Sequence, residues 1–459
     1  MNHFGVRKVS PRTAAFQSAM ESSRACLTKL SPTEAGQKAA ELAFTKRKSK
    51  QTHRMDSLLA HAGVDHLNDG EIHKNIPMSP PLHVATTYTR PPDGQYLETD
   101  SIYSRHDNPT RLLLEQEIAR LDGNGIFPSD GPQPHSFAWS SGMMAVSGLI
   151  LAHQAPLTVL LPMDLYHGTS TVLHEVFTRF GVTVKRVDWR TLDTSEETAR
   201  DTAKAIPPDH QVVVWMETPS NPLCHVIDIE RVCNWTRESI SQPATIVVDS
   251  TMAPPVIQQP LRYPVDVVLH SATKYLAGHS DALIGTLTTN PTTKQGKKLA
   301  TRLEEVQVMT GGVASTWDAW LCLRGLRTLA VRVRQQCQTA QRVAEFLESR
   351  VPAVHYPGLA SHAQHAIARK QMSLYGGVLS LDMGTEARAV ALAAALQTIQ
   401  RATSLGGTET LIEHRASIEP EGRVTSPPGL LRLSVGLEDP ADLLEDFQQA
   451  IDIVNQICS

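Results

Sequence analysis

One lysine in this chain stands beside small hydroxyl side chains in an arrangement that suits covalent chemistry. Lys274 closes the segment Ser271-Ala272-Thr273-Lys274, which follows the mostly apolar run 265–269. A lysine at a strand end, next to hydrogen-bond donors of a size to hold a phosphate, can bind pyridoxal phosphate (PLP) as a Schiff base. Short motifs also arise by chance, and alone this one favours an ordinary surface lysine. The assignment therefore depends on the rest of the chain.

A carboxylate upstream strengthens the catalytic interpretation. Asp249 ends the strand-like run 245–249 and precedes Lys274 by 25 residues. PLP withdraws electrons while its pyridine nitrogen is protonated, and an aspartate held against that nitrogen keeps it protonated. An aspartate after a strand is commonly a helix N-cap. Together with Lys274, however, Asp249 favours catalysis.

Two further strand-like runs end in residues suited to ligand binding. The run 212–216 opens into 217–222, where two prolines fix an irregular turn at the edge at which open α/β sheets bind ligands. Asn221 in this turn is a candidate ligand contact. The run 137–140 leads into Ser141-Gly142-Met143, an expected helix start whose free backbone N–H groups can hold a phosphate. Because Gly142 has no side chain, a phosphate can approach the backbone closely there.

The order of apolar runs predicts an α/β fold. Strand-like runs alternate with helical stretches over roughly 116–316, which indicates a mostly parallel sheet with helices on both faces. One long helix is expected from Ala319 through Arg332 and Phe346. Strands return at 377–382 and 431–435, and a helix over 440–454 closes the chain. The strand-like runs of the sheet are 137–140, 158–162, 182–187, 211–216, 245–249 and 265–269.

In this order the segments resemble the Cys/Met metabolism family of PLP enzymes, which includes cystathionine γ-synthase, cystathionine β-lyase, cystathionine γ-lyase and methionine γ-lyase. The resemblance extends from about Asn75 to Leu444. It implies PLP fold type I, the aspartate-aminotransferase-like fold, with a smaller α/β C-terminal domain. The matching segments are 103–105, 108–110, 141–143, 166–169, 217–222, 249–251, 271–278, 404–407 and 431–436.

The resemblance also implies roles for single residues. Lys274 would carry the cofactor and shuttle protons, and Asp249 would face the pyridine nitrogen. Tyr166 would stack on the ring, which suits its flat face and polar tip. The phosphate would be bound by the Gly142 and Met143 amides and by the Ser271 and Thr273 hydroxyls.

The substrate and the subunit arrangement follow from the same resemblance. Arg432 would grip the α-carboxylate of an amino-acid substrate, a bidentate task that lysine performs poorly. Ser404 and Asn221 would lie beside that carboxylate. Tyr103 and Arg105 would reach the phosphate of a neighbouring subunit, which implies a homodimer at least and favours a tetramer of two dimers.

Several positions depart from the family pattern. In γ-synthases and cystathionine γ-lyases, glutamate usually precedes the serine of Ser-Leu-Gly-Gly, and here Thr403 does. Those enzymes tend to carry arginine where this chain has Thr171, and methionine γ-lyases typically have cysteine where it has Gly168. Two charged groups that would read the distal end of a substrate are thus missing.

The surrounding segments leave alternatives open. His167 stands where the family often has glycine, and it either touches substrate or is a solvated turn residue. The segment between His414 and Pro428 does not have the usual family form. Within it, Arg415 and Arg423 either compensate for the missing charges or are solvated.

Composition limits the function classes. The chain has 459 residues, 41% hydrophobic and 20% charged, as expected for a globular protein of two or three domains. A net charge of −4 gives no case for nucleic acid, and no apolar run is long enough to span a membrane. Six separated cysteines indicate neither a disulfide framework nor zinc, and the expected metal content is none. Cys224 either lines the pocket or, more often for such a residue, is a small buried hydrophobe.

The expected domains are an extension at 1–55, an arm at 56–115 that clasps a partner subunit, a PLP-binding domain at 116–316 and a C-terminal domain at 317–459. The extension is basic and rich in Ser and Thr, and ends near Lys46-Arg47-Lys48-Ser49-Lys50. This composition fits an organellar transit peptide and a disordered tail equally well. The expected location is therefore cytoplasmic, or mitochondrial or plastid if the extension is a transit peptide.

The expected function is a PLP-dependent reaction at Cβ or Cγ of cystathionine or a related sulfur amino acid. The same catalytic residues serve β-elimination, γ-elimination and γ-replacement. Thr403 and Thr171 favour a C–S lyase slightly over a cystathionine γ-synthase that acts on an O-activated homoserine. A catalytically silent relative that only binds partners is the alternative from another class.

Overall fold

The strand-like runs come together in one seven-stranded sheet. The computed structural model describes residues 54–63, 78–90, 92, 101–192, 196–419 and 426–458, with Glu34; apart from Glu34 these belong to one compact unit. The strands lie in the order β1-β7-β6-β5-β4-β2-β3. They are β1 (His135–Trp139), β2 (Leu157–Pro162), β3 (Val182–Val187), β4 (Gln211–Glu217), β5 (Ala244–Asp249), β6 (Val267–His270) and β7 (Gly285–Thr289).

The sheet is mostly parallel, as the sequence predicts. Strands β3, β2, β4, β5 and β6 run parallel, while β7 is antiparallel to both β6 and β1. Successive residues of β4 face opposite sides, so Trp215 packs in one hydrophobic cluster and Val214 and Met216 pack in another. Both faces of the sheet are therefore covered, which explains why β4 is a continuous apolar run.

Helices cover this sheet, and several of them begin at a residue whose side chain caps the first turn. Asn108 accepts the N–H groups of Thr110 and Arg111, and Ser141 accepts that of Met144. The helices in the first part of the chain are α1 (Met55–Ala60), α2 (Pro109–Asp122), α3 (Gly142–Leu151), α4 (His167–Glu175), α5 (Glu196–Lys204), α6 (Ile229–Ser239) and α7 (Lys294–Thr310). Short 3-10 turns lie at Phe177–Phe180, Trp189–Thr191 and Pro260–Arg262.

The C-terminal part forms a second, smaller sheet. Its strands are β8 (Ala353–His355), β9 (Val378–Asp382), β10 (Gln400–Arg401), β11 (Leu411–His414) and β12 (Leu430–Ser434), in the order β10-β11-β12-β9-β8. The associated helices are α8 (Thr316–Leu326), α9 (Leu329–Glu348), α10 (His365–Gln371), α11 (Glu386–Ala395) and α12 (Pro440–Cys458). Leu347, Leu379, Leu431 and Phe447 share one core cluster between this sheet and its helices.

The single long helix predicted from Ala319 is wrong in one respect, because α8 and α9 are separate helices. The Gly325 carbonyl accepts the Thr328 N–H at 3.2 Å and the Arg332 guanidinium at 2.8 Å. These bonds satisfy the end of α8 in place of a continuing helical ladder. Glycine is also a weak helix former. The chain therefore turns between Leu326 and Leu329.

The remaining predictions concern segments that the structure describes only in part. Of the extension at 1–55, only Glu34, Arg54 and Met55 are among the described residues. The domain boundaries after residues 115 and 316 stay predictions. Within the described ranges, no helix is both long and apolar enough to cross a membrane.

The buried Arg332 holds the segment that follows Lys274. Its guanidinium donates to the carbonyls of Tyr275 (3.0 Å), Leu276 (3.5 Å) and Gly325 (2.8 Å). Burial lowers the pKa of Arg332 to about 10. Arg332 of α9 thus ties residues 275–276, called the lysine loop below, to the end of α8.

We expect Arg332→Met to lower the free energy of unfolding by about 3 kcal/mol or more, because it removes the buried donor that bonds to the carbonyls of Tyr275, Leu276 and Gly325. The measurement is the midpoint of denaturant unfolding, followed by far-UV circular dichroism. Arg324→Met is the matched control, since Arg324 is an exposed arginine of α8. Equal midpoints for the two variants would show that the Arg332 contacts contribute no stability.

Candidate active site

A cavity of about 390 Å³ lies at the carboxyl edge of the large sheet. It gathers residues that are distant in the sequence, from Ser141 to Arg432. All the predicted site residues except Tyr103 and Arg105 line it, namely Gly142, Met143, Tyr166, Asn221, Asp249, Ser271, Thr273, Lys274, Ser404 and Arg432.

Lys274 is held by a serine from the C-terminal part of the chain. Its Nζ donates to Ser404 Oγ at 2.7 Å. Ser404 has a φ of 86°, an uncommon backbone conformation for a residue other than glycine. Burial, followed by the nearby charge of Arg432, lowers the pKa of Lys274 to about 8, while the carboxylate of Glu413 acts in the opposite direction. A substantial fraction of this amine is therefore neutral near physiological pH.

Asp249 and Glu217 end neighbouring parallel strands and stand opposite each other in the register. Asp249 Oδ1 accepts the Thr251 N–H at 3.0 Å. Burial raises the pKa of Asp249, and hydrogen bonds from Thr251 and the charge of His270 oppose that rise. Burial and then the charge of Asp249 raise the pKa of Glu217 well above its usual value.

Glu217 connects two loops of the site. Its carboxyl group accepts the Tyr166 N–H at 2.9 Å and the Asn221 N–H at 2.8 Å. No separate role for Glu217 is predicted from the sequence. The available signal was a carboxylate at the end of a buried strand, the same pattern that identifies Asp249.

A buried histidine lies directly behind this edge. His270 Nε2 lies 3.0 Å from Asp122 Oδ1, and both side chains are buried. Burial lowers the pKa of His270, but the charge of Asp122 and its hydrogen bond raise it by more, and the net shift is upward. A protonated His270 stabilises the ionised form of Asp249. Sequence reasoning missed this pair because Asp122 and His270 are 148 residues apart.

The start of α3 has the features expected of the predicted anion site. The first N–H groups of a helix have no partner within the helix and lie at its positive end. A Cβ at position 142 would lie 3.0 Å from Ser271 Oγ, so glycine leaves the room that a phosphate needs. Ser271 is fixed in turn, because its N–H donates to Thr251 Oγ1 at 2.8 Å.

Thr273 lines the cavity, but its hydroxyl bonds to the backbone. Its Oγ1 donates to the Ile284 carbonyl at 3.1 Å and accepts the Ile284 N–H at 2.9 Å. A hydrogen bond from Thr273 to a phosphate therefore requires the hydroxyl proton to leave the Ile284 carbonyl. Its predicted contact with phosphate stays a prediction.

Three kinds of group in the cavity match the phosphate, the ring nitrogen and the aldehyde carbon of PLP. The helix start at Gly142 and the Ser271 hydroxyl offer donors for a phosphate, Asp249 is a buried carboxylate for a protonated ring nitrogen, and Lys274 is an amine for the aldehyde carbon. Tyr166 stands at the mouth, 37% exposed. A Cβ at position 168 would lie 2.5 Å from the Tyr166 ring, so Gly168 permits this ring position.

Arg432 is almost fully buried, with 4% of its surface exposed. It donates to Asn221 Oδ1 at 3.3 Å and to the Ser404 carbonyl at 2.7 Å. Its Nη2 lies 2.9 Å from Glu413 Oε2. Burial lowers the pKa of Arg432 to about 10. The structure thus brings together the three residues predicted to bind a substrate carboxylate, and adds a glutamate.

Glu413 and Arg415 were not assigned to the site from the sequence. Both line the cavity, and Arg415 is 2% exposed, so the solvated alternative for it is wrong. Arg415 Nη1 lies 2.5 Å from Glu413 Oε2, and its Nη2 lies 3.5 Å from His167 Nδ1. Arg423 lies outside the described residues. The unusual form of the segment between His414 and Pro428 was a signal for Arg415, whereas Glu413 lies before that segment and had no such signal.

Thr403, Thr171 and Cys224 lie in three different environments. Thr403 lines the cavity, whereas Thr171 lines a neighbouring cavity of about 460 Å³ that shares His167 and Arg415 with the first. Cys224 is fully buried and is not part of the lining, as the hydrophobic interpretation predicts.

Tyr103 and Arg105 lie on the surface outside the cavity. Tyr103 is 46% exposed. The Arg105 guanidinium is 5.8 Å from the centre of the Tyr103 ring, and its Nη1 donates to the Val308 carbonyl at 2.6 Å. Within one chain, therefore, these two side chains do not contribute to the cavity.

Comparison with known proteins gives consistent matches over most of the chain. The model of the family described as "Cys/Met metabolism PLP-dependent enzyme" matches residues 60–452. A cystathionine beta-lyase of Lactococcus lactis subsp. cremoris is 39% identical over 82% of this chain and 94% of its own length. A cystathionine gamma-lyase of Bacillus subtilis is 36% identical over 86% and 98%. The crystal structure of a cystathionine gamma synthase from Xanthomonas oryzae pv. oryzae is 30% identical, covers 88% of this chain and 99% of that chain, and superposes with a TM-score of 0.76.

The environment of Lys274 predicts an unusual pH dependence of its reactivity. In cofactor-free protein, we expect the rate of Lys274 acylation by acetic anhydride to rise with a midpoint near pH 8, because only the neutral amine reacts. Arg432→Met should move the midpoint upward, since it removes a neighbouring positive charge. Peptide mass spectrometry measures the modification, with exposed Lys297 as the reference for reagent decay. A midpoint close to that of free lysine, about 10.4, would contradict the described environment.

Proposed function

Because the chain belongs to the Cys/Met metabolism family of PLP-dependent enzymes, we propose that it breaks or exchanges a C–S bond of cystathionine or a related sulfur amino acid. One observation carries this proposal. Lys274, Asp249 and Arg432 line the same cavity. Together they offer an amine for the cofactor, a carboxylate for its ring nitrogen and a guanidinium for the carboxylate of an amino-acid substrate.

The residues of the chain have separate tasks in this reaction. Bound PLP supplies an electron sink for negative charge that develops on the substrate. Gly142, Met143 and Ser271 would hold its phosphate, and Asp249 would keep its ring nitrogen protonated. Tyr166, at the cavity mouth, would cover the ring.

Lys274 carries protons in the proposed mechanism. Its pKa of about 8 lets the amine take a proton from the substrate Cα and return it elsewhere, since efficient acid–base groups have a pKa near the working pH. Ser404 Oγ, 2.7 Å from Nζ, orients the amine. Arg432 and Asn221 fix the α-carboxylate, which brings the Cα–H bond to this amine.

Within this class, the sequence slightly favours a C–S lyase of the cystathionine β-lyase or γ-lyase type. Thr403 and Thr171 support a lyase slightly over a γ-synthase, which usually carries glutamate and arginine at these positions. Cystathionine γ-lyases usually share those two residues, so the threonines support the β-lyase type more than the γ-lyase type. The alternative is a cystathionine γ-synthase reaction on an O-activated homoserine. The relatives carry all three names, so they support the class and not one member of it.

The proposed active unit is a homodimer, with two dimers forming a tetramer. Tyr103 and Arg105 would complete the phosphate site of the neighbouring subunit. Their exposed position outside their own cavity supports this arrangement. A closed two-fold dimer would place the same pair at both sites.

The keto acid released from L-cystathionine tests the proposed reaction. PLP-loaded protein should release pyruvate if it acts at Cβ and 2-oxobutyrate if it acts at Cγ, and liquid chromatography separates the two. Lys274→Ala should lower the rate by about 100-fold or more, because it removes the proton carrier. Release of neither keto acid, together with no γ-replacement on an O-activated homoserine, would refute the proposal.

Mixed dimers test the shared site. Lys274→Ala and Arg105→Ala should each be nearly inactive, but a dimer with one copy of each keeps one intact site and about half of the full activity. Two different affinity tags isolate the mixed dimer. A mixture of Lys274→Ala with Asp249→Ala is the control, because both changes fall in the same cavity and no intact site remains. Equal inactivity of both mixtures would show that Arg105 does not act across subunits.

A further inference from the structure

The cavity holds more charged groups than the binding of one α-carboxylate requires. Arg432 already supplies a guanidinium for that purpose. Glu413 and Arg415 also line the wall, although they are only 6% and 2% exposed. Taking charges out of water costs energy, and a buried pair often stabilises a fold no better than apolar side chains would. These two charges therefore call for an explanation beyond stability.

Their contacts leave hydrogen-bonding groups unused. Glu413 Oε2 lies between Arg432 Nη2 at 2.9 Å and Arg415 Nη1 at 2.5 Å. The second carboxylate oxygen, Oε1, is buried and has no hydrogen-bond partner within the described residues. The same is true of Arg415 Nε. One charged acceptor and one charged donor, on two residues of the cavity wall, thus have no partner within the described part of the chain.

This pair is held firmly in place by its surroundings. Arg415 Nη2 lies 3.9 Å from Glu419 Oε1 and 3.5 Å from His167 Nδ1. Glu419 in turn accepts the Ser426 N–H at 3.1 Å. Glu413 belongs to β11 and stands opposite Arg432 of β12 in the register. Preorganised charged groups of this kind lose little freedom on binding a ligand.

We propose that Glu413 and Arg415 form a subsite for the distal amino-acid end of the substrate. Glu413 Oε1 accepts a hydrogen bond from the distal ammonium group, and Arg415 binds the distal carboxylate. This inference rests on the proposed function and specifies its substrate class, which is a thioether with an amino acid at each end. Glu413 and Arg415 thus supply the charges for the distal end of the substrate that Thr403 and Thr171 do not carry.

A purely structural role is the competing explanation. In that case Glu413 would only neutralise Arg432 and Arg415, and its loss would affect all substrates to the same degree. A role in reading the distal end affects only substrates that carry distal charges. Substrate dependence therefore separates the two explanations.

The test compares L-cystathionine with a thioether that keeps the proximal amino acid but has no distal charge. The probe is S-ethyl-L-cysteine if the enzyme releases pyruvate and S-ethyl-L-homocysteine if it releases 2-oxobutyrate. For Arg415→Met and Glu413→Gln, we expect kcat/KM for cystathionine to fall by about tenfold or more, because each change removes a charge-assisted hydrogen bond. For Arg415→Met, we expect kcat/KM for the probe to stay within about threefold. Glu413→Gln also changes the charge beside Arg432 and Lys274, so for that variant the expected result is a fall of about tenfold in the ratio of kcat/KM for cystathionine to kcat/KM for the probe. If turnover of the probe is too slow to measure, its inhibition constant against cystathionine replaces kcat/KM.

Two controls accompany these variants. Glu419→Gln perturbs the surroundings of Arg415 without removing a group from the cavity, and it should leave the ratio of the two substrates unchanged. Melting temperatures show whether each variant is folded. Equal losses on both substrates, or no loss on either, would overturn the inference while the proposed function stands. If the unsubstituted enzyme produces no keto acid and no γ-replacement product, the proposed function fails and this inference fails with it.

Discussion

The register of three parallel strands is the constraint on which the site depends. Strands β4, β5 and β6 end side by side, with Glu217 opposite Asp249 and Asp249 opposite Leu269. Because these strands pair in a single register, their carboxyl ends cannot move independently. One slip by a residue would turn each of these carboxylates to the other face of the sheet. Hydrogen bonding in the sheet thus fixes the electrostatics of the cavity.

The charges of the cavity balance one another in two groups. Around the sheet edge, the carboxylates of Glu217 and Asp249 lie near the buried pair of His270 and Asp122. In the smaller sheet, the paired strands β11 and β12 provide Glu413 and Arg432, which form an ion pair. Lys274 lies between an arginine that lowers its pKa and a glutamate that raises it. Its proton affinity is therefore set by burial and by two charged residues of the smaller sheet.

Much of this could be predicted from the sequence, and the failures have physical causes. Lys274, Asp249 and Asn221 follow apolar runs, so local pattern alone locates them at strand ends. Strand β7 was not predicted, because its Thr-rich residues give no apolar run and its antiparallel pairing depends on β1, about 150 residues away. The roles of Glu413 and Arg415 depend on contacts with β12 and His167, and the Asp122 to His270 pair joins distant segments. Such pairings are set by tertiary structure, which a local pattern does not encode.

The backbone after Lys274 is held by Arg332 through carbonyl groups on α8 and on the lysine loop itself. None of these contacts uses a side chain that lines the cavity. The backbone after Lys274 is thus anchored by residues outside the cavity wall, whereas the Lys274 amine shares Ser404 with that wall. Substitutions in β11 can therefore alter the wall while the main chain that carries the lysine keeps its anchorage. A fixed main chain with an adjustable wall lets one reactive amine serve pockets of different shape.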